Sequence, residues 1–107
     1  MLWLSENDLK NFMAGVIRNV AKNLNINGWE NKTYLSLVKN IKAENQLVSS
    51  KLEQFFLAYK RWHDYQIKLN LEKQGAPLSE EEQGKLQHYL SVRDVTSDEL
   101  MKELHKK

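Results

Sequence analysis

The sequence predicts an all-α fold: a compact bundle of four to five helices, at about 6–26, 30–46, 51–74, 80–92 and 97–105, packed around the central helix 51–74. Three observations predict it. Apolar residues recur at steps of three and four through most of the chain, and no stretch alternates as a half-buried strand would. Ser or Thr followed three residues later by Glu marks helix starts at positions 50, 79 and 96. Residues 1–107 read as one helical domain, because a chain of this length supplies one modest core and not two.

In the first helix Ser5 and Asp8 have the spacing of an acidic capping box, and Leu4 can pack on Leu9 as a hydrophobic staple. Leu9, Phe12, Met13, Val16, Ile17, Val20 and Leu24 follow on one face, with Asn11, Gly15, Arg18 and Lys22 opposite. The run NINGWEN then breaks the pattern, Gly28 reversing the chain and Trp29 closing the corner over the core. The second helix, about 30–46, is expected to bury Tyr34, Leu35, Leu37, Val38 and Ile41 and to turn Lys32, Lys39 and Lys42 to solvent.

The central helix carries Leu52, Phe55, Phe56, Tyr59, Trp62, His63 and Gln66 on its core face. Ser50 and Glu53 form a capping box that starts it near Lys51, and Gly75 and Pro77 end it. The segment Asn45 to Ser50 admits two readings. Positions 34, 38, 41, 45, 48, 52, 55, 59, 62, 66 and 69 keep a seven-residue rhythm straight through it. Taken literally this is a continuous helix 31–74, about 65 Å long, which calls for a homodimer along a coiled-coil-like seam with Asn45 setting the register. The Ser50 box and the poor helix formers Val48, Ser49 and Ser50 favour a break instead.

After the turn, Ser79 and Glu82 repeat the box, and Glu80, Glu81 and Glu82 suit the positive end of a helix dipole. That helix buries Leu86, Tyr89 and Leu90. Thr96 and Glu99, with Val95 and Leu100 as staple, start a last short helix carrying Leu100, Met101 and Leu104.

Composition narrows the function. There is no cysteine, so disulfides and thiolate chemistry are excluded, in keeping with a reducing compartment. The opening MLWL is too short for a membrane span and lacks the basic start of a signal peptide, so the expected location is the cytoplasm. His63, His88 and His105 have no partner at ligand spacing, and no HExxH or phosphate-cradling loop occurs. His63 and Asp64 are neighbours in sequence, and consecutive helical residues point about 100° apart. The expectation is a protein with no catalytic residues, no metal and no cofactor.

Charge is uneven. From Leu9 to Lys73 eleven bases meet five acids, an excess of +6, whereas from Leu78 to Leu104 three bases meet seven acids, an excess of −4. The N-terminal two-thirds is therefore suited to a polyanion or an acidic partner.

Two functional readings follow. In the first, the bundle docks on a larger protein as an inhibitor, immunity factor, adaptor or small regulatory subunit. Leu57, Arg61, Tyr65 and Lys68 interleave apolar, aromatic and basic groups away from the core, as interface anchors do. Trp3, Trp29 and Tyr89 are further large side chains expected at the surface. The competing account is structural: Leu57 and Tyr65 pack under a neighbouring helix, and Lys60, Asp64, Lys68 and Glu72 form an i,i+4 charge ladder. In the second reading, Arg18, Lys22, Lys32, Lys39, Lys42, Lys60, Arg61 and Lys68 neutralise nucleic-acid phosphates while Tyr65 stacks on an unpaired base. In size, helicity and charge the chain is similar to the small helical subunits of CRISPR effector complexes, a likeness that no motif carries and that assigns no residue.

Overall fold

The computed structural model describes residues 6–106, with side-chain surroundings from Leu9 onward. The expected Ser5 cap, its Leu4 staple and Trp3 lie outside the described residues. Four α-helices follow in order, α1 (Glu6–Asn23), α2 (Tyr34–Glu44), α3 (Gln46–Lys73) and α4 (Glu80–Leu104), with a single 3-10 turn at Trp29–Asn31. No strand occurs among the described residues. The fold is an all-α bundle measuring 49 × 26 × 17 Å. Its long axis matches α3, whose 28 residues span about 42 Å.

Helix α1 ends three residues earlier than its apolar pattern suggests. Asn25 adopts φ 58, the amide of Ile26 donates to the Ala21 carbonyl, and that of Asn25 donates to Lys22. This is a Schellman closure with Asn in the left-handed position, and buried Ile26 and Ala21 supply the apolar contact that accompanies it. Gly28, at φ 72, opens the 3-10 turn. Helix α2 starts at Tyr34, not at Glu30, because the Thr33 hydroxyl accepts from the Ser36 amide.

That start corrects the expected core face of α2. Leu37 and Ile41 are fully buried, but Tyr34 is exposed and Leu35 is 68% exposed. Leu35 lies two residues from Leu37, some 160° around the helix, so the two cannot face one core. Lys32, expected in solvent, is half-buried and donates to Asn40 Oδ1 at 3.0 Å.

The chain does break between α2 and α3, but over one residue. Asn45 takes φ −154, ψ 98, and it closes α2 through its amide, which donates to Ile41 O. It also caps α3, its side-chain oxygen accepting from the Val48 amide at 3.1 Å. Ser50 is therefore a helical interior residue and not a cap, and Val48 and Ser49 are buried in the first turn of α3. The break removes the continuous helix 31–74 on which the homodimer seam depended. At the other end Gln74 and Gly75 both take positive φ, 48 and 91.

Helix α4 keeps the expected capping box. Ser79 accepts from the Glu82 amide, and the Glu82 carboxylate accepts from the Ser79 amide. The second start expected at Thr96 is absent, because the Thr96 hydroxyl donates back to Val92 O and Arg93 O, a bond made inside a continuing helix. What reads as two short helices is one of 25 residues.

The core is made by α1, α2 and the N-terminal half of α3: Ile17, Val20, Ala21, Leu37, Ile41, Val48, Leu52 and Phe55. Trp29 and Tyr89 pack against it half-buried, as the corner and the α4 pattern led one to expect and not as exposed anchors. Phe12 is 37% exposed, yet its ring stacks on Tyr59 at 4.3 Å and ties α1 to α3.

Candidate functional site

Helix α3 presents two surfaces. Its inner side supplies the core, while Leu57, Arg61, Asp64, Lys68 and Leu71 face out and are exposed. At 100° per residue Leu57, Arg61 and Lys68 fall within about 40° of one another. Leu57 is 52% and Leu71 70% exposed, large apolar groups on a side no other helix covers. Leu71 belongs with the four residues expected there, and its position one turn beyond Lys68 is the signal that marks it.

Tyr65 departs from that set. It is half-buried, its ring meets Tyr89 edge-on at 5.2 Å, and Lys85 Nζ lies 5.4 Å from its centroid. Burial first, then the nearby Glu82 carboxylate, Tyr89, Glu81 and Glu72, raises its phenol above the ordinary value of 10. A ring held this way is a clasp between α3 and α4, not a free stacking platform.

The basic residues divide in two. Lys60 pairs with Asp64 at 3.0 Å, the first rung of the expected ladder. Lys32 bonds Asn40, and Arg18 lies 4.8 Å from the Tyr34 ring. Lys22, Lys39, Lys42, Arg61 and Lys68 are exposed and form no ion pair with another described residue.

Part of the charge asymmetry is structural. Lys51 reaches Glu99 at 3.2 Å and Lys73 reaches Glu82 at 2.8 Å, so bases of the N-terminal part are matched to acids of α4 at both ends of an antiparallel hairpin. Hydrogen bonds from Lys73 and from the Ser79 amide lower the Glu82 carboxyl to about 2.

Between these clasps the hairpin seam mixes apolar and aromatic groups with a cation. The inward stripe of α4 runs Glu82, Leu86, Tyr89, Arg93, Thr96, Leu100, and Arg93 occupies a core-facing step. Its guanidinium lies 4.3 Å from the Trp62 ring centroid and 5.8 Å from that of Tyr59. Nε and Nη2 both donate to Asp94 Oδ1, at 3.2 and 3.0 Å. Burial raises the Tyr59 phenol, and the Arg93 charge opposes that rise. Beside this pair a cleft of about 490 Å³ opens, walled by Trp62 and Gln66 from α3 and by Gln83, Leu86, Gln87, Leu90 and Arg93 from α4. A second hollow of about 360 Å³ shares Gln66 and Leu86 and continues toward the turn past Leu69, Ala76 and Leu78. Reading the sequence by periodicity missed Arg93, although an arginine on the 86, 89, 93, 100 stripe is the signal that finds it.

His63 is buried, and its Nδ1 lies 3.6 Å from Asp64 Oδ1, so the two side chains approach each other despite their consecutive positions. No group of three His, Asp or Glu residues able to hold a metal occurs among the described residues. None of their helices is long and apolar enough to cross a membrane.

No protein-family model matches the chain, and no curated protein or solved structure does.

Proposed function

We propose that this protein is a non-enzymatic helical binding module that docks on a larger protein partner through the outer face of α3. The observation that carries this reading is the exposure of Leu57 and Leu71 on one side of a 28-residue helix, with Arg61 and Lys68 beside them and unpaired among the described residues. Arginine is enriched among the residues in which binding energy concentrates, and exposed leucines beside it supply apolar area that excludes water around that contact. The partner surface that complements it is an apolar hollow rimmed by carboxylates.

The test is affinity capture of the tagged protein from its native cell at low salt, with and without nuclease. A stoichiometric protein that survives nuclease is expected. It should be lost from a Leu57→Ala, Leu71→Ala double variant that remains folded by circular dichroism. Capture that depends on nucleic acid and ignores the leucines would overturn the reading.

One observation favours a second reading, nucleic-acid backbone binding. Lys22, Lys39, Lys42, Arg61 and Lys68 are exposed and unpaired among the described residues, and each is able to replace a counterion on a phosphate. Against it, Glu53, Asp64 and Glu72 balance Lys60, Arg61 and Lys68 on the exposed side of α3, and Tyr65 is engaged by Tyr89. In that case Lys39→Glu and Arg61→Glu would weaken binding and flatten its salt dependence.

A further inference from the structure

We propose that the cleft between α3 and α4 binds a small monocarboxylate with a linear apolar tail, its carboxylate on Arg93 and its tail toward Leu78. The site lies on the opposite side of α3 from Leu57 and Lys68, so it is independent of the docking face.

The argument begins with Arg93. A guanidinium at a core-facing step costs solvation unless it is matched by a carboxylate. At both ends of the hairpin the cation is matched from across the seam, Lys51 by Glu99 and Lys73 by Glu82. Arg93 has no such partner on α3. Its only carboxylate among the described residues is that of Asp94, the next residue, whose side chain is 61% exposed. The two bonds to Asp94 leave three of the five guanidinium N–H groups without an acceptor among the described residues. The guanidinium plane is nevertheless fixed by the Trp62 ring at 4.3 Å. A positioned, incompletely used fork is the geometry that takes a carboxylate through two parallel bonds.

The rest of the lining sets the remainder of the ligand. Gln66 and Gln87 add amide donors beside Arg93 and no competing negative charge. Farther along, Leu86 and Leu90 give way to Leu69, Ala76 and Leu78, beside Asn70 and Lys73, and the Lys73 ammonium is already taken by Glu82 at 2.8 Å, so Arg93 is the cation with donors left for a carboxylate. From Arg93 to Leu86 is seven residues of helix, about 10 Å, a length suited to a chain of roughly eight carbons. Hollows of 490 and 360 Å³ that share two walls are of small-molecule size. A phosphate or sulfate would use the charge and leave the apolar end empty. An uncharged lipid would do the reverse.

The experiment is a titration of the full-length protein followed by 15N NMR at the Trp62 indole N–H and the Arg93 Nε–H, using octanoate, octanamide and acetate. Octanoate should move both signals saturably. Octanamide keeps the tail without the charge and acetate the charge without the tail, and each should bind at least tenfold more weakly. No saturable shift with octanoate, or equal affinity for octanoate and octanamide, overturns the proposal. These comparisons use the unaltered protein and do not depend on a variant folding. In a folded Arg93→Gln variant the preference for octanoate over octanamide should vanish, and its survival would also overturn the assignment. An apolar peptide amide bearing one glutamate that binds the same signals more tightly than octanoate would overturn the small-molecule assignment.

Discussion

Among individual residues Glu82 does the most with one side chain. It closes the capping box at the start of α4 and receives Lys73 from the end of α3, so it fixes a helix end and a helix pair together. The Lys73 and Ser79 donors favour the charged form and hold its carboxyl down from the ordinary 4.5 to about 2. A depressed carboxylate pKa adds stability that is present above the unfolded value and is lost as pH falls from about 4.5 through about 2. Urea denaturation between pH 7 and pH 2 should show this loss, and Glu82→Gln should flatten the curve across that window. An unchanged profile in the variant would mean that other carboxylates govern acid unfolding. Arg93, eleven residues farther along the same helix, is its counterpart, a charge held against aromatic rings with no carboxylate from α3 to meet it.

At the scale of elements, the helix joint at Asn45 makes the sharpest prediction. Asn45→Ala removes the acceptor for the Val48 amide and should cost about 1 kcal/mol. Ser50→Ala, at an exposed site inside α3, should change stability by less than about 0.5 kcal/mol. Equal costs in a urea midpoint comparison would refute the assignment of the cap. The joint also shows what periodicity conveys. The core faces of α1 and α3 were legible because Ile17, Val20, Leu52 and Phe55 obey a 3.6-residue repeat under burial from one side. The Ser79 start was legible because nothing in the fold competes with that box. Ser50 and Thr96 have the same spacing, but at each the helix runs on and the box does not form. Local capping signals report what a segment can do, and packing decides where the chain uses them. On the candidate site, the outward positions of Leu57, Arg61 and Lys68 were legible. For Tyr65 the sequence offered both an exposed anchor and a side chain under a neighbouring helix; the second holds, and the choice depends on Tyr89, 24 residues away, and on the register of α4.

At the scale of the whole molecule, burial is unequal. Among the described residues Leu100 is the only buried residue of α4, while α2 and the first half of α3 hold Leu37, Ile41, Val48, Leu52 and Phe55. Stability should be distributed in the same way, since segments with few buried apolar contacts open at lower free energy. Native-state hydrogen exchange should find the Glu80–Ser91 amides opening well below the global unfolding free energy, with Ile41 and Leu52 at or near it. Uniform protection along all four helices would show that the hairpin clasps hold α4 as firmly as the core. The one-residue joint has a further consequence at this scale. If Asn45 straightened, α2 and α3 would fuse into a rod of 40 residues, 34–73, about 60 Å long. The α1–α2 pair would then be carried off the surface formed by Leu52, Phe55 and Tyr59, and an identical pair from a second molecule would fit the vacated place. The extended backbone of a single asparagine thus separates this folded-back arrangement from a domain-swapped exchange of its first two helices.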